Sequence, residues 1–281
     1  MKPGSIFGDD ESKIKPGFFP MLTRYAPSPT GHLHLGHVVN AIYVWGLAGA
    51  AGGRVLLRME DHDRIRCRPE YEASILDDLA WLGFTPDEGL HPLVRQSDRN
   101  DIYRDALERL RRTHHVYVCD CSRKRIAGEQ YDGFCRSRGL VEGPGCGLRV
   151  QMDDGGDLLL RDRDRNWTYH FAVTVDDIDQ RITHIIRGDD LLPSTVRQLQ
   201  LRRMLGAAAS PAYVHHPLVL KPNGEKLSKS AGDTGVRELR GAGMSAEDVI
   251  GRAAAAVGLI ERVRPTAAGD VRTLFRTPPS T

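Results

Sequence analysis

No stretch of this 281-residue chain approaches the length of apolar sequence that spans a bilayer, and its first residues carry no hydrophobic signal core. Membrane-embedded and secreted classes are therefore not expected, and a cytoplasmic location is. Net charge is also scarce: 39 Lys and Arg stand against 37 Asp and Glu, which leaves +2. Overall charge could not hold a nucleic acid, so an RNA partner would have to meet a local basic patch. Arg109 with Arg112, Arg123 with Arg125, Arg136 with Arg138, and Arg202 with Arg203 are the candidates, although such groups are more often a solvated face. Cysteine is sparse, at five residues, and its use fits a reducing compartment. No internal repeat is evident. What is present is a 40% hydrophobic chain, large enough for one sizeable domain and a small insert.

Two short segments carry most of the chemistry. Residues 22–26 read as a strand, followed by a turn in which Pro27 and Pro29 bar regular structure. His34-Leu35-Gly36-His37 comes next, and a helix is expected from near Gly36 until Gly52-Gly53 ends it. A strand–turn–helix of this kind aims backbone N–H groups and the helix dipole at an anion. Gly36 has no Cβ, so a flat adenine ring could approach the backbone. Two imidazoles three residues apart can donate to phosphate oxygens that gain charge during attack at the α-phosphorus. The second segment is Lys226-Leu227-Ser228-Lys229-Ser230, in a Gly/Pro/Ser-rich loop opened by Lys221-Pro222-Asn223-Gly224. Mobile loops suit lids, and two ammonium groups could grip a leaving pyrophosphate. Taken singly, these segments could be a His-rich surface turn and a solvated basic loop. Taken in this order on an α/β pattern, they read as two halves of an ATP site that activates a carboxylate.

The two segments resemble the signature motifs of class I aminoacyl-tRNA synthetases, and further segments resemble the glutamate-specific branch. These are Val55-Leu56-Leu57-Arg58-Met59-Glu60-Asp61, Asp63-Arg64, Pro69-Glu70-Tyr71, Trp81-Leu82-Gly83, and Ile185-Ile186-Arg187-Gly188-Asp189-Asp190-Leu191-Leu192. The similarity runs over residues 22–260. It implies catalytic roles for His34, His37, Lys226 and Lys229, ATP contacts from His34, Gly36, His37 and Lys229, and a glutamate pocket of Arg24, Ala26, Ser28, Glu60, Tyr169 and Arg187. The chemistry of a small dicarboxylic amino acid agrees. Arg24 and Arg187 sit at predicted strand ends, where open α/β sheets bind ligands, and guanidinium groups fit carboxylates. Glu60 can pair with the α-ammonium, and Tyr169 can add a neutral hydrogen bond. The alternative for any one of these charged residues is a surface ion pair.

The cysteines narrow the resemblance. Cys119-Asp120-Cys121 follows a predicted strand at Val116 and Val118, and Tyr131 and Cys135 come after it. Three thiolates and one further donor satisfy tetrahedral zinc, and the spacing alone leaves the fourth place open. The pattern resembles the zinc module of a shortened branch of the family. That branch transfers glutamate to the queuosine base in the anticodon loop of tRNA(Asp), not to a 3′-terminal adenosine. The resemblance implies Tyr131 as the fourth ligand and one structural zinc ion per chain. Cys67 and Cys146 receive no role.

The expected fold is an α/β, doubly wound parallel sheet of the Rossmann-like class I synthetase kind. Residues 21–95 and 166–232 form its halves, 96–165 form a smaller zinc-bearing α/β insert, and 233–281 form a short helical segment and tail. Residues 1–20 read as a flexible extension and 153–164 as a hairpin. No room is expected for an anticodon-binding domain. The expected reaction joins L-glutamate to ATP, with Mg2+, and then passes the glutamyl group to tRNA; a monomer is expected. Two other functions stay open: a truncated glutamyl-tRNA synthetase charging tRNA(Glu), and a non-catalytic ATP- or RNA-binding paralogue. The second is opposed by the presence of His34, His37, Lys226 and Lys229.

Overall fold

The computed structural model of the chain describes residues 21–122, 125, 131–153, 156–219 and 235–275. The extension expected over residues 1–20, the loop carrying Lys226 and Lys229, Arg123, and the last six residues lie outside the described residues. Among the described residues no helix is long and apolar enough to cross a membrane.

β1 (Leu22–Tyr25) is buried along its whole length. α1 (Leu35–Ala50) follows it, one residue earlier than the sequence pattern indicates, because His34 caps it from outside. This helix is apolar nearly all round and is accordingly a core helix. β2 (Arg54–Met59) is buried except at its first residue, as expected of a strand covered on both faces. α2 (Pro69–Leu82) and the short β3 (Val94–Arg95) complete the first half. β1, β2 and β3 pair in parallel.

The chain then leaves this sheet. α3 (Asn100–Thr113) buries Tyr103, Ala106, Leu107 and Leu110, a stripe at helical spacing. β4 (Val116–Cys119), β5 (Gly147–Val150) and β6 (Leu158–Arg161) make an antiparallel sheet in that order. Residues 153–164, which read as a hairpin, hold the second strand of an antiparallel pair that begins earlier, at Gly147. β6 pairs with β5, because Leu158 and Leu160 join Leu148 and Val150 in one core with Tyr103, Leu107 and Leu110. α4 (Tyr169–Asp179) closes over that core through Phe171, Ala172 and Val175.

β7 (His184–Gly188), α5 (Leu192–Met204) and β8 (Ala212–His216) form the second parallel unit. β7 runs beside β1 in the same direction. Thr183 bonds Leu22 through both backbone and side chain, and Arg24 reaches the carbonyl of Ile186. The strand order is thus β3-β2-β1 followed by β7-β8, with the reversal between β1 and β7. Ligands bind at such a reversal, at the carboxyl ends of the strands.

α6 (Val236–Gly241) and α7 (Ala246–Ala256) follow. The tail does not stay irregular: residues 268–275 form a 3-10 helix. Its Val271 is buried, and Phe275 packs edge-on against Tyr43 of α1 at 5.1 Å. The Arg/Pro/Thr-rich composition hid this element because only a few apolar residues anchor it.

Candidate active site

The strand ends at the reversal enclose a cavity of about 350 Å³. Arg24, Ala26, Ser28, Glu60, Tyr169 and Arg187 all line it, together with Tyr25, Pro27, His37, Asn40, Ile186, Gly188 and Leu191. The six residues expected to meet glutamate therefore share one cavity. Each comes from an element that aims at the reversal: the end of β1, the end of β2, the first turn of α4 and the end of β7.

A buried ion network lies beneath the cavity. Arg58 is fully buried and donates to Asp177 (2.9 Å), Gln180 (2.7 Å) and Glu60 (3.1 Å). Arg24 donates through Nε to Asp177 at 3.1 Å. Arg99 and Tyr103 donate to Asp176. Arg24, Arg58 and Arg99 thus meet Glu60, Asp176 and Asp177, three cations for three anions. Burial opposes charge on Asp177, but Arg24 and Arg58 outweigh it and hold that carboxyl below the usual range. At Glu60 burial wins over Arg58 and Arg24, and the carboxyl is pushed up.

Arg187 differs. It is 4% exposed, and its hydrogen-bond partners among the described residues are neutral: Gln198 Oε1 and Thr195 Oγ1, each at 2.7 Å, and His215 Nε2 at 3.4 Å. Among the described residues no carboxylate lies within ion-pair distance of it. A buried cation in this state is stable only if something else compensates its charge. Its guanidinium faces the cavity.

A second cavity of about 220 Å³ adjoins the first, sharing His37, Asn40, Gly188 and Leu191 and adding His34, Gly36, Asp190, His216, Leu218 and Val219. The two histidines form a reciprocal cap. Gly36 N–H donates to His34 Nδ1 and His34 N–H donates to His37 Nδ1, both at 3.1 Å. Each Nδ1 is therefore an acceptor, and the neutral tautomer carries its proton on Nε2. The small size of Gly36 serves this cap: a Cβ there would come within 2.9 Å of the His34 ring. Gly36 also lines the second cavity, where the sequence reading places an adenine ring close to its backbone. Gly188 at the end of β7 is required in the same way, since a Cβ would meet Asp190 Oδ1 at 2.5 Å.

Cys119, Cys121 and Cys135 are buried, with all three Sγ atoms within 4.8 Å of one another. The Tyr131 oxygen lies 3.6 Å from Cys119 Sγ and 3.4 Å from Cys121 Sγ, and Cys121 Sγ is 3.4 Å from Cys135 Sγ. Four ligands around tetrahedral zinc at a bond length of about 2.3 Å stand roughly 3.8 Å apart. The donor set and spacing fit such an ion. Burial and the neighbouring thiols push the Tyr131 phenol up, and the Cys135 N–H, which donates to its oxygen at 2.9 Å, opposes them only in part.

Some groups were not anticipated. Asn40 lines both cavities and is held by His216 at 2.9 Å. Helical spacing from His37 was the only signal for it. Several arginines in or beside the candidate basic patches are engaged within the chain. Arg202 is 8% exposed and donates to the carbonyl of Ala209, Arg136 pairs with Asp157, and Arg138 with Asp120. Arg111, between Arg109 and Arg112, is taken by Glu108 and Glu142.

The chain matches the family described as tRNA synthetases class I (E and Q), catalytic domain, over residues 20–136 and 147–252. It is 39% identical to a glutamyl-Q tRNA(Asp) synthetase of Rhodobacter capsulatus, covering 82% of this chain and 98% of that one. It is 40% identical to glutamate–tRNA ligase 1 of Acidithiobacillus ferrooxidans, over 78% of this chain but 53% of the ligase. Among solved structures, a glutamate tRNA ligase from Elizabethkingia meningosepticum in complex with its amino acid superposes with a TM-score of 0.74 at 28% identity. That match covers 92% of this chain and 65% of the ligase.

Proposed function

The chain belongs to the class I synthetase family for glutamate and glutamine, and from that premise we propose that it activates L-glutamate with ATP and transfers it to the queuosine base of tRNA(Asp). One α-carboxylate oxygen of glutamate attacks the α-phosphorus, pyrophosphate leaves, and glutamyl-adenylate forms. A nucleophile on the queuosine base then attacks the glutamyl carbonyl, and AMP leaves.

The observation that carries this reading is Arg187, a buried guanidinium with neutral partners facing an amino-acid-sized cavity. A side-chain carboxylate of the substrate supplies the missing anion, and a planar fork receives it well. Arg24 and Tyr169 complete the pocket, Ser28 and Ala26 form its wall, and Glu60 takes the α-ammonium. His34 and His37 present Nε2–H toward the neighbouring nucleotide cavity, where they donate to phosphate oxygens as charge builds in the transition state. Lys226 and Lys229 neutralise the leaving pyrophosphate, with Mg2+ entering as part of the nucleotide substrate. No side chain acts as a nucleophile; positioning and charge do the work. Zinc, held by Cys119, Cys121, Tyr131 and Cys135, supplies a closed structural cross-link and leaves no site for chemistry.

The choice of acceptor is supported by the likeness to relatives named glutamyl-Q tRNA(Asp) synthetase, at 37–42% identity. The R. capsulatus relative is covered nearly end to end, the glutamate–tRNA ligase over about half. Two assays test the reading. Pyrophosphate exchange that depends on glutamate is expected, and its absence would sink the enzymatic reading. Glutamylation of tRNA(Asp) with queuosine but not without it is expected. Charging of tRNA(Glu) at its 3′ end instead would replace this acceptor with the ordinary one.

A further inference from the structure

Arg149 on β5 is a second buried arginine with no carboxylate among its partners in the described residues. It is 5% exposed. Its Nε donates to Cys119 Sγ at 3.4 Å, its Nη1 donates to the backbone carbonyl of Asp157 at 2.9 Å, and its Cζ lies 3.9 Å from the centre of the Tyr131 ring. It thus touches two of the four groups that fit a zinc ion. Across the cluster, Arg138 Nη1 donates to Cys135 Sγ at 3.3 Å and to Asp120 Oδ1 at 2.6 Å. Asp120 Oδ1 also lies 3.4 Å from Cys135 Sγ. Arg136 is nearby but is spent on Asp157.

The charges explain why cations are needed there. Zinc carries +2, while three thiolates and a phenolate carry −4, so the filled centre has a net charge of −2. Binding releases the thiol and phenol protons to solvent. A doubly negative centre beside the insert's apolar core is costly unless a cation answers it. A fourth thiolate would face the same cost; an imidazole would reduce it by one charge. Tyrosine adds the full charge on a hard oxygen whose ring the guanidinium covers. Asp120 adds a further negative charge at the rim, and Arg138 is shared with it. Arg149, dry and unshared, is left as the counter-ion.

We propose that Arg149 is the positioning residue that lets a tyrosine complete this zinc site: its charge, held against Cys119 and the Tyr131 ring, balances the anionic centre. Arg138 supports it from the exposed side. The inference rests on the zinc reading above.

The test uses the full-length chain and competition for zinc against a chromophoric chelator, which does not depend on enzymatic activity. The parent should hold one zinc. Arg149→Gln should weaken zinc binding by about 10- to 100-fold, the usual cost of losing a partner that orients metal ligands. Arg149→Lys, which keeps the charge, should recover most of that loss. Arg138→Gln should cost less, because Arg138 is shared and partly exposed. With cobalt in place of zinc, saturated Arg149→Gln should retain the absorption bands of a four-coordinate site. Parental zinc affinity in folded Arg149→Gln would overturn the proposal. If Arg149→Gln does not fold, Arg149→Lys decides. Near-parental affinity supports the charge role; loss of zinc shows the arginine to be a structural strut, and the proposal falls. A parent chain that holds no zinc refutes the zinc reading itself, before any arginine is at issue.

Discussion

Arg24 and Arg187 line the same cavity, yet they should fail in opposite ways when mutated. Arg187 has neutral partners, so Arg187→Gln removes a buried charge that no carboxylate among the described residues pairs. The unliganded fold should keep its stability to within about 1 kcal/mol, or gain a little. Function should suffer instead. Two charge-assisted hydrogen bonds to the substrate carboxylate, at about 1.5–3 kcal/mol each, correspond to roughly 10²- to 10⁴-fold in kcat/KM for glutamate. The preference for glutamate over glutamine should shrink by a similar factor, since the preference lies in the same charge. Arg24→Gln strips a cation from Asp177, which is buried and 3.1 Å away. Breaking a buried pair costs about 3–5 kcal/mol, or a fall in Tm of about 10 °C for a chain of this size. Thermal melting and glutamate-dependent pyrophosphate exchange, measured on both variants, check the contrast. An Arg187→Gln chain that melts far below the parent while exchanging at the parental rate would make Arg187 a structural cation and refute the reasoning.

Lys229→Ala should lower exchange turnover by about 10²-fold or more with a smaller effect on the KM for glutamate, because the lysine is assigned to the transition state; unchanged turnover would remove it from the site. Cys121→Ser should abolish bound zinc and lower Tm by about 5 °C or more, while turnover per folded molecule falls less; full zinc content by metal analysis would count against the ligand set. Asp78 on α2 is fully buried, neither of its oxygens has a hydrogen-bond partner, and burial with Asp77 raises its pKa to about 6. The folded state therefore holds a proton that the unfolded state releases near pH 4, so stability falls as pH rises through about 4 to 6. Asp78→Asn should add about 3 kcal/mol at pH 8 and roughly half that at pH 5; a gain independent of pH in thermal melts would refute the assignment.

Much of the fold was legible because its elements announce themselves locally. The apolar run of β2, the proline turn before His34 and the start of α2 at Pro69 each carry their own signal. The six pocket residues were legible through family motifs, and they converge because those motifs end adjacent strands. The ion network beneath them was not legible. Arg24 and Arg58 meet Asp177 across 153 and 119 residues of sequence. Nothing in the run Val173-Thr174-Val175-Asp176-Asp177 distinguishes two buried acids from two solvated ones. The second demand on Gly36 was not legible either, since the His34 ring that needs its space belongs to a side chain that folds back from two positions away.

α4 joins the pieces. Its first residue, Tyr169, is a wall of the amino-acid cavity. Its apolar face, through Phe171, Ala172 and Val175, belongs to the same core as β5 and β6 of the insert. Its Asp176 and Asp177 hold Arg58, Arg99 and Arg24. β5 also carries Arg149, which touches the cysteine cluster. A continuous path of packed and hydrogen-bonded groups therefore runs from the cysteines through β5 to α4 and the pocket wall. Each step is a short contact, and none depends on a loop outside the described residues. The insert is thus part of the pocket's support. Its cysteines touch that support through Arg149 on β5.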